Sequence, residues 1–435
     1  MAGDRGAAVA GGDGTVRVPV RRGRGYHFGS FRQPIRPPSP TGFRVTAPLL
    51  LVIGASARAF SASAHRAGWR VRAADLFADR DLARTADAVA VPADDYPAAL
   101  EAEAERSPPG PFAYVGALEN HPDLVDAIAA RRPLAGCPGH VLRRVRDPRA
   151  LAEALAGAGI AFPATRFRPD GLPLDGSWLL KPLAGGGGRG IAPWDATAAA
   201  RPGPHRGRIW QRRVGGEAVS ASFVIDPRGA VLVGASRQLV GVAAWQAPPF
   251  AWCGAVDVPP ASLGDAVRRQ WERVGGVLRR EFGVSGAVGV DAIEDHDGRL
   301  VVVEVNPRPT ASMELAERRS GASIAGLHLA AHGLASPARP SAATTAPVWA
   351  KAVLRTPAAL PVSGRLCDAL DAFDDRCRDD DGLAGLADLP RAGSTLPPGC
   401  PILTIFAGGT GPAEALAALD RRTAAVQRLL WPPAP

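Results

Sequence analysis

The stretch G-R-L-V-V-V-E-V-N-P-R-P-T-A-S-M-E, Gly298 to Glu314, decides how the chain is read. It opens as an apolar strand and then sets Glu304, Asn306 and Arg308 at two-residue spacing. Side chains two apart on an extended chain share a face. Pro307 and Pro309 hold the residues before them extended, which carries the alternation through Arg308. A carboxylate, an amide oxygen and a guanidinium then line one side. Oxygen ligands suit Mg²⁺, and an adjacent arginine suits the phosphate that Mg²⁺ bridges.

Working outward, the apolar run Ala287-Val-Gly-Val-Asp-Ala-Ile-Glu294 and the polar turn Asp295-His-Asp-Gly298 predict a hairpin. Pairing Glu294 with Arg299 sets Asp291 opposite Val302, on the face of Glu304 and Asn306. Three oxygen donors converge on that reading. The alternative is a surface hairpin with a solvated polar face. Against it, Asp291 and Glu304 sit inside β-branched runs, where an unpartnered charge is costly.

A chain of 435 residues is too long for one core and implies two to four domains. Its 46% hydrophobic and 21% charged residues are ordinary for a globular protein. No run approaches the roughly 18 apolar residues of a membrane span, and no secretion signal is evident at the start. Cys137, Cys253, Cys367, Cys377 and Cys400 are scattered without metal spacing, which suits a reduced cytoplasm. Of 51 basic residues only Lys181 and Lys351 are lysine, and Asn120 and Asn306 are the only asparagines. Against that bias a surviving lysine marks a place where a planar fork cannot replace a point charge.

Residues 1–46 are basic, rich in Gly and Pro, and read as a disordered tail. A nucleic-acid arm is conceivable there, but an extension without function accounts for it better, so a nucleic-acid partner is not expected. Ala47-Pro-Leu-Leu-Leu-Val-Ile-Gly54, a helical stretch to Ala67 and Trp69-Arg-Val-Arg-Ala-Ala-Asp75 predict a Rossmann-like β-α-β unit. The dinucleotide fingerprint is broken, with only Gly54 in place. Ser56 and Arg58 at the helix start could instead hold a small anion. Glu119 and Asn120 follow the strand Phe112-Ala-Tyr-Val-Gly116, where open α/β sheets bind ligands, although Asn120 could equally cap a helix.

Ser177-Trp-Leu-Leu-Lys-Pro-Leu-Ala-Gly-Gly-Gly-Gly-Arg-Gly-Ile191 is the second chemical motif. A strand ends in Lys181, and Gly185, Gly186, Gly187, Gly188, Arg189 and Gly190 follow. Such a loop lets backbone N–H groups approach a phosphate that Lys181 can also reach. Next, the backbone around Gln211, Arg212 and Val214 could meet an adenine edge, and Glu217 could accept from ribose hydroxyls. A strand over 231–240 carries Arg237 and Gln238. Residues 335–347 read as a linker, the Asp-rich stretch Asp368 to Asp381 as a solvated loop, and 412–430 as a closing helix.

Lys-Pro before a glycine loop, Gly-x-Glu after a strand, Gly-Val-Asp and Glu-Val-Asn-Pro-Arg together resemble the ATP-grasp superfamily. More closely the chain is similar to the ATP-dependent carboligases related to biotin carboxylase. The resemblance implies an α/β and α+β fold: a Rossmann-like pre-ATP-grasp domain over 47–145, a two-subdomain ATP-grasp core over 146–335, and a small β-rich domain with a closing helix over 347–435. It implies ATP with Mg²⁺ or Mn²⁺, and an ADP-forming carboxylate–amine ligase working through an acyl phosphate. It hints at one-carbon cofactor assembly of the methanopterin or methanofuran type. Carried over, Lys181 binds phosphate, Asp291, Glu304 and Asn306 bind the metal, and Arg308, with Lys181 and Arg237, serves catalysis. Arg58, Glu119, Asn120 and Lys351 fall to substrate, and the assembly it allows is a homodimer. One element departs: the upstream lysine of the family is missing, and only Arg144, Arg146 and Arg149 stand in its segment. A biotin-carboxylase-like component and an ATP-binding regulator without turnover are the alternatives.

Overall fold

The computed structural model describes residues 47–201, 205–334 and 348–432. The expected tail and linker lie outside these residues. A parallel sheet comes first, ordered β3-β2-β1-β4-β5 from β1 (Leu49–Ile53), β2 (Arg70–Asp75), β3 (Asp87–Ala90), β4 (Phe112–Tyr114) and β5 (Leu134–Ala135). Leu50 to Ile53 are fully buried, as a strand covered on both faces should be. The dinucleotide-like acid has a structural task. Asp75 accepts the amides of Ala57 at 2.8 Å, Phe77 at 3.1 Å and Ala78 at 2.7 Å, so its carboxylate ties its own loop to the first helix.

Two antiparallel sheets form the middle of the chain. The smaller is ordered β6-β9-β7-β8, from β6 (Thr165–Arg166), β7 (Asp175–Pro182), β8 (Ala192–Asp195) and β9 (Arg208–Arg212). Trp178, Trp194 and Trp210 pack on it as a separate small core. The larger sheet holds β10 (Glu217–Asp226), β11 (Gly229–Val240), β12 (Trp252–Val258), β13 (Gly286–Glu294), β14 (Leu300–Asn306) and β15 (Val348–Arg355). Helix Asp265–Phe282 covers it with Trp271, Val274, Val277 and Leu278.

The decisive hairpin forms, but in another register. Glu294 pairs with Leu300, and a bulge after Asp291 brings Asp291 directly opposite Glu304 rather than Val302. The extra residue moves the acid one step along its partner. Two carboxylates therefore face each other across the strand pair.

After β15 come β16 (Leu360–Pro361), β17 (Leu386–Ala387), β18 (Thr395–Leu396) and β19 (Pro401–Gly409). β15, β19 and β17 extend the larger sheet beyond β12, so the last segment shares one sheet with the core. The Asp-rich stretch is not a loop: Gly364–Asp381 is a helix, capped by Ser363, which accepts the Leu366 amide at 3.1 Å. Leu366, Leu370, Phe373 and Cys377 supply a helical apolar stripe between the acids and are buried or half-buried there.

His328, on helix Ile324–Ala331, is fully enclosed and joins two sheets. Its Nδ1 accepts the Ala287 amide at 2.9 Å, while Nε2 donates to the Ala135 carbonyl at 3.0 Å. Burial pushes this imidazole down to about 3 and neighbouring His332 down to about 4. An unfolded histidine titrates near 6.5, so the unfolded chain binds more protons below that pH. The stabilisation is complete above about pH 6.5 and is lost progressively as pH falls toward the folded values. We expect melting temperature to drop steadily between these limits, and His328→Gln to start lower with a shallower slope. Parallel slopes in the two proteins would remove His328 as the cause.

Candidate nucleotide and substrate site

Lys181 ends β7 beneath the glycine loop. Its ammonium is buried, donating to Gln211 Oε1 at 2.9 Å and to the Val303 carbonyl at 3.4 Å. Burial lowers its pKa, against the pull of Glu304. The loop is fixed at its tip, where the Trp252 amide donates to the Gly187 carbonyl at 3.1 Å. Gly188 sits at φ +75° with the Phe250 carbonyl oxygen only 1.7 Å from where a Cβ would stand. Gly188→Ala should therefore distort the loop, at about 1–3 kcal/mol, and weaken ADP binding roughly tenfold. Titration calorimetry checks this, and an unchanged affinity would show that the loop's shape does not matter.

Among the three candidate arginines the structure singles out Arg146. Its Nη1 donates to Glu304 at 2.6 Å, and its Nη2 to Asn120 Oδ1 at 2.9 Å and the Gly185 carbonyl at 3.1 Å. Arg144 and Arg149 lie elsewhere, over the rings of Phe282 and Phe167. A cation thus stands beside the glycine loop where the upstream lysine is missing. Asn120 also donates to the Gly185 carbonyl, at 3.4 Å, which brings the first domain to the loop.

Across the hairpin, Asp291 accepts from Gln238 Nε2 at 2.6 Å and from Asn306 Nδ2 at 2.9 Å. Burial pushes its carboxyl up to about 6, and facing Glu304 adds to the shift. Two carboxylates and one amide in this arrangement fit an oxygen-liganded divalent cation, whose charge would relieve their repulsion. Among the described residues no group of three or more His, Cys, Asp or Glu gathers as a metal site.

Arg308 stands beyond Asn306, its Nε 2.8 Å from Glu119 Oε1. Both are nearly enclosed. Burial alone would raise Glu119, but Arg308 outweighs it and holds the carboxylate below its ordinary range. On the far side of Arg308 opens a cavity of about 320 Å³, lined also by Arg58, Glu314 and Lys351. Lys351 is buried and donates to Glu314 at 2.7 Å and to the Ala311 carbonyl at 3.0 Å. Arg58 grips the same Glu314. Burial opposes ionisation of Glu314, yet Arg58 and Lys351 together hold it well below the usual carboxylate range.

The remaining candidates lie apart. Arg237 is exposed and pairs with Glu217 on the neighbouring strand, outside the cluster around Asp291. Its neighbour Gln238 is the one that reaches Asp291. Gln211 faces Lys181 rather than a base. The amides of Arg212 and Arg213 are spent on the carbonyls of Ala164 at 2.8 Å and Ser177 at 2.9 Å.

Residues 145–312 match the model of the ATP-grasp domain. That segment, from the end of the fourth helix through β14, therefore carries an ATP-grasp domain. The fold of the chain is similar to an N5-carboxyaminoimidazole synthase from Aspergillus clavatus, in complex with ADP and 5-aminoimidazole ribonucleotide. That match has a TM-score of 0.63 at 13% identity and covers 88% of this chain and 99% of the other. The fold is also similar to an L-amino acid ligase from Bacillus licheniformis, at TM-score 0.62 and 14% identity over 87% of this chain and 97% of that one. Against Rhizobium etli pyruvate carboxylase the TM-score is 0.60 at 16% identity, over 89% of this chain but only 39% of that much longer chain. No curated protein matches the chain. Among the described residues no helix is long and apolar enough to cross a membrane.

Proposed function

We propose that the chain is an ATP-dependent, ADP-forming ligase that joins a carboxylate to an amine through an acyl phosphate. One observation carries this. Arg308 lines the cavity of about 320 Å³, and Glu304, four residues back on the same segment, lines the groove under the glycine loop. A phosphoryl group held in the groove and an acid held in the cavity would meet at Arg308.

Lys181 and Arg146 place two cations on the phosphate side, and the glycine backbone closes over them. Asp291, Glu304 and Asn306 would hold Mg²⁺, which when bound would supply positive charge to the phosphate side of the site. Arg308, kept in place by Glu119, steadies the group in transfer. Phosphoryl transfer asks for positioning and charge more than covalent help. The acid oxygen takes the γ-phosphoryl group and ADP leaves. The amine then attacks the acyl carbon, phosphate departs, and the nitrogen loses a proton. The stretch beyond Arg213 remains available to meet the adenine edge. The likeness in fold to an L-amino acid ligase supports this reading. Arg146 beside the glycine loop supports turnover over the regulator alternative, since a cation is at hand for the part of the missing lysine.

ADP release against panels of acids and amines tests the proposal, with pterin-like amines included for the one-carbon assignment. Hydroxylamine should trap the acyl phosphate as a hydroxamate. ADP release that needs bicarbonate and biotin, or that ignores acid and amine alike, would overturn it.

A further inference from the structure

The cavity beyond Arg308 carries a charge that the proposed chemistry has not used. Asp79 follows β2, is only 7% exposed, and lines the cavity wall. Its backbone carbonyl accepts the Ala83 amide, but among the described residues its carboxylate has neither a hydrogen bond nor an ion pair. Every other acid nearby is engaged. Asp81 accepts the amides of Asp388 at 2.9 Å and Leu389 at 2.8 Å. Asp388 takes Arg58 at 2.9 Å, and Glu314 takes both Arg58 and Lys351. Two cations, Arg58 and Lys351, are thus shared among Asp81, Asp388 and Glu314, and none is left for Asp79. Arg58 and Arg391 are close enough to feel its charge, but neither makes an ion pair with it among the described residues.

A buried carboxylate without a partner is costly, and it is relieved by a proton or by a cation from outside. Burial and the crowd of Asp388, Asp81 and Asp75 do raise its pKa well above the usual range. Phe60, Phe77, Val353 and Ile402 make the neighbouring wall apolar. The volume suits a compact ligand. We propose that the Asp79 side of this cavity, apart from the acid's place at Arg308, takes the amine component as a primary ammonium on an apolar body, with its nitrogen paired to the Asp79 carboxylate. What happens to that amine rests on the ligase reading. Its binding does not.

Three probes of one shape separate the charges: 2-phenylethylamine, 2-phenylethanol and 3-phenylpropanoate, titrated calorimetrically into the full chain without nucleotide. The amine should bind at least about tenfold more tightly than the other two. Asp79→Asn should weaken the amine about thirtyfold while leaving melting temperature and ADP affinity unchanged. Asp79→Glu should keep part of the preference and serves if the amide variant folds poorly. An amine that binds no better than the alcohol, or as well to Asp79→Asn as to the parent, overturns the proposal. So does an amine that fails to bind at all in the millimolar range. Amine binding that persists while no acid elicits ADP release would sink the ligase reading and leave this one. Acid- and amine-dependent ADP release with an unchanged amine KM in Asp79→Asn would do the reverse.

Discussion

Glu304→Gln is expected to lower Mg²⁺-dependent ADP release at least about a hundredfold, roughly 2.7 kcal/mol of transition-state stabilisation. The substitution keeps the size of the side chain and an oxygen to accept from Arg146, so the fold should survive with little change in melting temperature. It removes the negative charge that faces Asp291 and that meets the Arg146 guanidinium at 2.6 Å. A neutral amide is a poor ligand for a hard divalent cation. Rate should be measured against Mg²⁺ and Mn²⁺ concentration in both proteins. A variant with the parent's rate and metal dependence would take Glu304 out of the metal face. A secondary effect follows from the same pair: without the facing charge, the Asp291 carboxyl should fall back from about 6 toward its ordinary value.

Period-two alternation makes the shared face of Glu304, Asn306 and Arg308 legible in the sequence, because it depends only on local backbone. The partner across the hairpin is less legible, since a one-residue shift in pairing and one bulged residue together move Asp291 from Val302 to Glu304. Gln238 shows the same limit. Alternation sends Arg237 and Gln238 to opposite faces, but which one meets Asp291 depends on how β11 lies beside β10 and β13. Arg146 is one of three equivalent arginines in the sequence, and only the helix ending at Val145 fixes its direction. The wall formed by Arg58, Glu314, Lys351 and Asp388 is drawn from distant parts of the chain, and no local pattern announces such a meeting. The helix over Gly364–Asp381 is concealed by its acids, although its apolar residues keep a helical period.

Lys181→Ala should cost more than about a hundredfold in turnover, and Lys181→Arg at least about tenfold, roughly 1.4 kcal/mol. The structure sharpens the reason for the second figure. The ammonium fits a narrow buried place between Gln211 and the Val303 carbonyl, reached from the end of β7. Arginine keeps the charge but brings a longer planar fork into a packed site, and overpacking there forces neighbouring side chains off their rotamers. Arg146 already supplies a fork on the loop's other side. A second one would lose the point donor that meets Gln211 and the Val303 carbonyl. Nucleotide affinity should weaken in the alanine variant by loss of charge, and in the arginine variant by displacement of the loop. Calorimetric ADP binding and single-turnover ADP formation, measured in parent and both variants, separate these two effects. If Lys181→Arg equals the parent in both, a point charge is not required at this position and the phosphate lies elsewhere in the groove.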